Sequence, residues 1–200
     1  VVSLVGYTNA GKSTVFNNLS GADAYTADQL FATLDTTLRR IELPNTPPLV
    51  LSDTVGFIRD LPHDLVAAFQ ATLEETRNAD LLLVVTDAAD ENSTERNEDV
   101  RKVLSEIDAD SIPQIEVYNK IDALADGEPR IDYGVDDRIQ RVWISAATGR
   151  GMDLLQRAIG EHFERSRARR WVRVRSAAGK TRAWLYARKA VLQERSANNG

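Results

Sequence analysis

The first residues that could do chemistry are Gly6-x-x-x-x-Gly11-Lys12-Ser13, which lie between an apolar run and apolar residues at helical spacing. Backbone N–H groups freed by glycine from side-chain obstruction can converge on phosphate oxygens at a helix start. The spacing therefore predicts a phosphate-binding loop, with Lys12 reaching the β- and γ-phosphates and Ser13 offering its hydroxyl to Mg²⁺. The predicted nucleotide contacts in this loop are Gly6, Tyr7, Thr8, Asn9, Ala10, Gly11, Lys12, Ser13 and Thr14.

A second group, Asp53-Thr54-Val55-Gly56, follows the apolar run Leu49 to Leu51 about forty residues later. The carboxyl end of a strand is where an α/β sheet presents groups to a ligand. Asp53 is therefore expected to hold the Mg²⁺ shell, through water, and the Gly56 N–H to contact a γ-phosphate. Alone, this string is a weak signal, and it gains weight from the phosphate-binding loop before it.

The third and fourth groups predict which base is bound. The Asp122 carboxylate of Asn119-Lys120-Ile121-Asp122 can accept from both N1–H and the 2-amino group of guanine, which adenine lacks on that edge. The Ala146 N–H of Ser145-Ala146-Ala147 would donate to the guanine oxygen. Asn119 would tie its loop to the phosphate-binding loop, and the Lys120 stem would lie against the base. A site built around donors rejects the analogue that lacks them. In isolation, each string could instead be a helix start or a turn.

The elements that would position these groups alternate between strands and helices, which predicts a mostly parallel sheet covered on both faces. We therefore expect an α/β three-layer sandwich of the P-loop NTPase type, with six strands and a C-terminal appendage. Its domains would be residues 1–165, which bind the nucleotide, and residues 166–200. Beyond the first strand, the predicted strands are 38–43, 49–51, 81–85, 114–118 and 142–144, and the later helices are 64–77, 91–107 and one from about 151.

Composition narrows the functional classes. The chain of 200 residues has no cysteine, which excludes disulfides, thiolate metal sites and a cysteine nucleophile. No apolar run approaches the roughly 18 residues of a membrane span, so we expect a cytoplasmic protein without stable membrane insertion. Because the chain starts without Met, directly at its first strand, we also expect it to be a fragment of a longer protein.

The charge is unevenly distributed. Residues 161–200 carry 11 Lys and Arg against 3 Asp and Glu, although the whole chain has a net charge of -5. The appendage is predicted to form a short strand (Trp171 to Arg175) and a helix (Thr181 to Glu194) with basic and aromatic residues interleaved. Such a pattern suits RNA, and a basic tail also suits the surface of a membrane, as in peripheral association. A solvated, arginine-rich helix is the alternative interpretation.

The sequence resembles the HflX family of translation-factor-class GTPases. The resemblance covers residues 1 to about 165 well, and the tail around 182–194 more weakly. It is carried by the four groups above, by Asp53-Thr54-Val55-Gly56-Phe57-Ile58, and by Leu30-Phe31-Ala32-Thr33-Leu34-Asp35-Thr36-Thr37. The last two strings are more specific to this family than the general GTPase motifs.

The resemblance implies GTP and GDP as ligands, Mg²⁺ as cofactor, and binding to the large ribosomal subunit with splitting or rescue of stalled ribosomes. It also implies an N-terminal domain that this chain lacks. It places Thr33 in a switch loop, where it would meet Mg²⁺ and the γ-phosphate; Lys12, Thr33 and Gly56 would be catalytic. An Asn at position 9 accompanies K⁺ activation in similar GTPases, although Asn9 could simply brace its loop. Phe57 stands where related proteins have a water-orienting glutamine, so unaided hydrolysis should be slow.

Two functional alternatives stay open at this point. One is a GTP-dependent binding module with negligible turnover, which Phe57 favours. The other is a GTPase in tRNA modification or membrane-associated regulation, which the Phe31-Ala32-Thr33-Leu34-Asp35 string disfavours.

Overall fold

The computed structural model describes residues 1–21, 37–44, 46–54, 74, 76–166, 172–175, 178–188, 190–191 and 193–195. The predicted loop of residues 20–38 and helix of residues 64–77 lie mostly outside these ranges. The described elements are β1 (Val2–Gly6), α1 (Lys12–Ser20), β2 (Thr37–Ile41), β3 (Leu49–Asp53), β4 (Leu81–Asp87), α2 (Ser93–Glu106), β5 (Gln114–Asn119), β6 (Arg130–Tyr133), β7 (Ile139–Trp143), α3 (Met152–Ser166) and α4 (Gly179–Ala187).

The strands form one mixed sheet in the order β2-β3-β1-β4-β5-β7-β6. The five inner strands are parallel, and the edge strands β2 and β6 are antiparallel to their neighbours. All five residues of β1 are buried, as are the first six of β4, because helices cover both faces there. The predicted α/β fold with a mostly parallel sheet is confirmed.

The sheet has seven described strands, so the prediction of six was wrong. The additional strand is β6, which pairs with β7 in the register Arg130↔Trp143 and Ile131↔Val142. This hairpin replaces the helix that usually separates consecutive parallel strands. The sequence signal was missed because β6 has only four residues and none of them is fully buried.

Two apolar clusters pack on opposite faces of the sheet. The larger one joins β1 to α1 and α3, with Leu4, Phe16 and Leu155 among its buried members. The smaller one joins Val5 and other inner-strand residues to α2 through Val100 and Leu104. Each fully buried aliphatic side chain contributes roughly 1.5–3 kcal/mol. Together the clusters hold the carboxyl ends of β1, β3, β4, β5 and β7 at one edge of the sheet.

A stack of side chains crosses the strands β5, β7 and β6. The rings of Tyr118 and Trp143 have centroids 4.4 Å apart, and the Arg130 guanidinium lies 3.9 Å from the Trp143 ring. The indole N–H of Trp143 donates to Asp132 at 2.7 Å. Tyr118 directly precedes Asn119, and Trp143 lies two residues before Ser145, so the stack helps to fix the spacing between these two segments.

Residues 167–200 form a second compact unit, separate from residues 1–166. Its described helix is α4, shorter than the predicted helix of residues 181–194. The predicted strand over residues 171–175 is wrong in its described part, since residues 172–175 belong to no strand. Val172 is 72% exposed there, so the alternating pattern has no apolar surface to face. Trp184 and Tyr186, on α4, are both about half exposed.

Candidate nucleotide-binding site

The loop from β1 to α1 has the form predicted from its glycines. Gly6 lies at φ 148, where a Cβ would come within 2.2 Å of the Val85 carbonyl oxygen, so only glycine fits. Gly11 precedes α1 in a left-handed conformation, and no described side chain caps the helix. Because the first N–H groups of a helix have no partner within it, this uncapped start can bind an anion.

Lys12 is buried against the loop that precedes it. Its side chain is 7% exposed, and its Nζ donates to the carbonyl oxygens of Gly6 and Tyr7 at 3.2 and 3.0 Å. Burial lowers the pKa of Lys12 to about 8, and the nearby Asp53 carboxylate opposes that shift. A buried cation beside an uncapped helix start is an electrostatic complement to phosphate.

Ser13 and Asp53 meet across the boundary between α1 and β3. The Ser13 hydroxyl donates to Asp53 Oδ2 at 2.8 Å. The neighbouring Thr54 hydroxyl donates to the Leu4 carbonyl oxygen at 2.6 Å and so anchors the end of β3 to β1. A hydroxyl and a carboxylate are hard oxygen ligands, so this pair fits Mg²⁺. Among the described residues, no group of three or more His, Asp or Glu side chains is arranged to hold a metal ion.

Asn119 connects three loops at the edge of the sheet. Its Nδ2 donates to the Ala10 carbonyl oxygen at 3.0 Å, which confirms the predicted tie to the phosphate-binding loop. Its Oδ1 accepts from the Ala146 N–H at 2.9 Å. Asn119 is 2% exposed, so both hydrogen bonds are shielded from water. One side chain thus fixes the loop that would bind the phosphates relative to the two that would bind the base.

The donor predicted for the guanine oxygen has a partner in the protein. The Ala146 N–H donates to Asn119, because a buried carboxamide oxygen needs a donor. A base oxygen would therefore share this N–H with Asn119, and would not take it alone as the sequence interpretation assumed. Asn18, which that interpretation missed, donates to the Ala146 carbonyl oxygen at 3.0 Å and holds the same segment from α1.

Asp122 and Lys120 are each held by a side chain from another segment. The Ser145 hydroxyl donates a short hydrogen bond to Asp122 Oδ1. Lys120 lies at φ 66, and its Nζ is 2.7 Å from Asp87 Oδ2. Sequence reasoning missed Asp87, although an Asp at the end of a strand is the same signal that identified Asp53. Ala147 is exposed beside Ala146 at the same edge of the sheet.

A small, narrow cleft lies on the α2 side of the phosphate-binding loop. Its lining includes Tyr7, Thr8 and Ala10 from the predicted set, together with Asp87 and Arg96. The Arg96 guanidinium lies 4.9 Å from the Tyr7 ring centre and 2.5 Å from Asp90. These contacts connect the phosphate-binding loop to the segment that follows β4.

Two of the remaining residues singled out in the sequence belong to described segments, and the others do not. Asn9 is exposed at the tip of the phosphate-binding loop with φ 61, and Thr14 is half-buried in the first turn of α1. Thr33, Gly56 and Phe57 lie outside the described residues. The helices described here all lack the length and apolar character needed to cross a bilayer.

Comparison with known proteins decides the family. A family model described as 50S ribosome-binding GTPase matches residues 1–120. GTPase HflX of Escherichia coli strain K12 is 54% identical over 193 residues, which is 96% of this chain and 45% of that protein. This chain belongs to the HflX family of GTPases. It spans less than half the length of the HflX proteins it matches, as with GTPase HflX of Caldanaerobacter subterraneus, 51% identical over 80% of this chain and 36% of that protein.

Solved structures agree with the family assignment. A GTP-binding protein from Sulfolobus solfataricus, determined in complex with GDP, is 27% identical and superposes with a TM-score of 0.63. The superposition covers 82% of this chain and 52% of that protein. The sheet and its flanking helices are therefore those of a P-loop GTPase.

Proposed function

We propose that this chain binds GTP and GDP and hydrolyses GTP to GDP and phosphate. The observation that carries the proposal is the double hydrogen bond of Asn119 to Ala10 and Ala146. It joins a loop suited to phosphates and a pair of loops suited to guanine into one site, as a nucleotide with both parts requires.

In the proposed complex, the phosphates lie at the start of α1. The N–H groups of its first turn donate to phosphate oxygens, and Lys12 turns its ammonium from the Gly6 and Tyr7 carbonyl oxygens toward the β- and γ-phosphates. At the other end, Asp122 accepts from N1–H and the 2-amino group of guanine. Each carboxylate oxygen has two acceptor sites, so the bond from Ser145 leaves room for the base.

Ser13 and Asp53 would hold Mg²⁺, Ser13 directly and Asp53 through water. When bound, Mg²⁺ neutralises charge that develops on the phosphate oxygens. Lys12 would place a buried positive charge near the same phosphate oxygens, so the proposed catalysis is electrostatic and forms no covalent intermediate. Thr33 and Gly56 complete the proposed catalytic set by contacting the γ-phosphate.

We also propose that K⁺ accelerates hydrolysis beside Asn9. The support is that Asn9 adopts a left-handed conformation at the exposed tip of the loop. Turnover measured in KCl and in NaCl at equal ionic strength tests this proposal. Faster turnover in KCl is expected, and equal rates would contradict it.

The proposed partner is the large ribosomal subunit, on which the full-length protein would split or rescue stalled ribosomes. The support is the description of the matching family model and the basic composition of residues 161–200. We would measure GTP hydrolysis in K⁺ buffer with and without purified large subunits. Strong stimulation is expected, because Phe57 cannot orient water and a partner must supply that contact. Unchanged turnover would contradict a partner surface within this chain.

A further inference from the structure

Asp87 and Lys120 form an ion pair between the ends of neighbouring parallel strands. Asp87 is the last residue of β4 and lies opposite Asn119 in the register of β4 and β5. The backbone bond from the Ala88 N–H to the Asn119 carbonyl oxygen, 2.8 Å long, continues this pairing past the strand ends. The two side chains therefore approach from rigid parts of the backbone.

We propose that Asp87 is a positioning residue for the base-binding lysine Lys120. The proposal rests on the proposed function, and it adds that the Lys120 stem lies against the guanine base. A lysine stem has four rotatable bonds, and this side chain is 37% exposed. Held at its ammonium by Asp87, the stem remains in one orientation at the site. Without Asp87, binding the base would have to immobilise the stem, at a cost in affinity.

A purely structural role for Asp87 makes a different prediction. Asp87 Oδ1 also accepts from the Ala89 N–H at 3.0 Å, and this bond shapes the segment that leads to Asp90 and Arg96. If Asp87 only shaped that segment, its substitution would weaken nucleotide binding whether or not Lys120 were present. The two roles can therefore be separated by removing Lys120.

The test is a double-mutant cycle on GDP affinity, using Asp87→Asn, Lys120→Met and the combination. Asparagine keeps an acceptor for the Ala89 N–H but loses the charge that holds the ammonium. We expect Asp87→Asn alone to weaken GDP binding about fivefold, the difference between a charged and a neutral hydrogen bond. In the Lys120→Met background it should have no effect. Equal losses in both backgrounds would overturn the proposal.

The control variant is Asp99→Asn, which removes an ion pair with Lys102 on α2, away from the site; it should leave GDP affinity unchanged. Inosine diphosphate, which lacks the 2-amino group, supplies a second readout. Asp87→Asn should weaken both nucleotides by the same factor, since a stem against the base face does not contact that group. A loss confined to GDP would overturn the proposal.

Thermal unfolding verifies that each variant folds, and Asp87→Ser, which likewise keeps an oxygen acceptor without the charge, replaces Asp87→Asn in the same cycle if the latter does not. The wild-type chain is measured first. Failure of the wild type to bind GDP refutes the proposed function, whereas tight wild-type binding with additive losses refutes only the role of Asp87.

Discussion

The side-chain amide of Asn119 donates to the backbone carbonyl oxygen of Ala10 at 3.0 Å, across 109 residues of sequence. The carbonyl belongs to the phosphate-binding loop, and the amide comes from the end of β5. Because the bond is buried, neither group can turn to water if the other is lost. The two ends of the candidate site are thus coupled through one side chain.

Replacing Asn119 with alanine should destabilise the protein and weaken its nucleotide binding. The substitution leaves the Ala10 carbonyl oxygen and the Ala146 N–H buried without Asn119 as their partner. We expect a loss of about 3 kcal/mol in the free energy of unfolding, measured by urea denaturation. Asn78→Ala is the matched control: its amide makes an exposed, local bond to the Glu74 carbonyl oxygen, so a loss within about 0.5 kcal/mol is expected. Equal losses would contradict the coupling.

Replacing Gly11 with alanine should disrupt the same contact from the other side. The new Cβ would lie 2.3 Å from Asn119 Nδ2, in a backbone conformation at φ 93 that alanine disfavours. Gly21→Ala provides the control, because Gly21 also has a positive φ but no atom of the described residues lies within 4 Å of a Cβ built there. The control should lose about 1 kcal/mol from backbone strain alone. Gly11→Ala should lose clearly more in the same urea experiment, along with affinity for GDP; a similar loss in both variants would argue against the clash.

The pKa of Lys12 predicts how stability depends on pH. Its value is about 8 in the folded protein, below the ordinary 10.5 that applies to the unfolded chain. Between these values the unfolded state binds more protons, so nucleotide-free protein should become more stable as pH rises from about 8 toward 10.5. Below pH 8 the free-energy cost of burying the charged Lys12 ammonium is fully present and amounts to about 3 kcal/mol. In urea denaturation at pH 7, 8.5 and 9.5, Lys12→Met should no longer show this rise in stability. A rise that persists in the variant would mean that other groups cause it.

The pairing of Ser13 with Asp53 predicts a selective loss of metal dependence. Chelating Mg²⁺ should weaken GTP binding by the wild type about tenfold or more, because the phosphates lose a divalent counter-charge. In Ser13→Ala the effect of chelation should be much smaller, since a direct ligand is already missing. Thr14→Ala, in the same helical turn, should respond to chelation as the wild type does. Binding measured with and without EDTA decides between these outcomes.

The inner strands and the helices that cover them were predictable because their apolar residues must be buried. Leu81 to Val85 is an uninterrupted apolar run that requires burial on both faces, and α2 and α3 show apolar residues at helical spacing. The hairpin of β6 and β7 was not predictable in this way. There, stability comes from specific contacts among Tyr118, Trp143 and Arg130, and such pairings leave no periodic signal in a sequence.

Some residues of the candidate site were predictable from the sequence, and others were not. The phosphate-binding loop was recognisable because glycine is obligatory at Gly6 and Gly11, so geometry constrains residue type directly. The tie from Asn119 to Ala10 was predicted, whereas Asp87 and Asn18 escaped notice. Their roles depend on which loops the sheet brings together, and Asp and Asn are too common in loops to indicate that alone. The Ala146 N–H was assigned only to the base, because sequence does not show which buried acceptors compete for a donor.

The uncapped start of α1 links the proposed nucleotide binding to the stability of the folded protein. No described side chain caps this start, so its first N–H groups are available to the phosphates of the proposed nucleotide. In the proposed function the nucleotide binds the folded protein and not the unfolded chain, so the free energy of unfolding should rise with the logarithm of the nucleotide concentration. Protein depleted of guanine nucleotide should therefore unfold more easily than protein saturated with it.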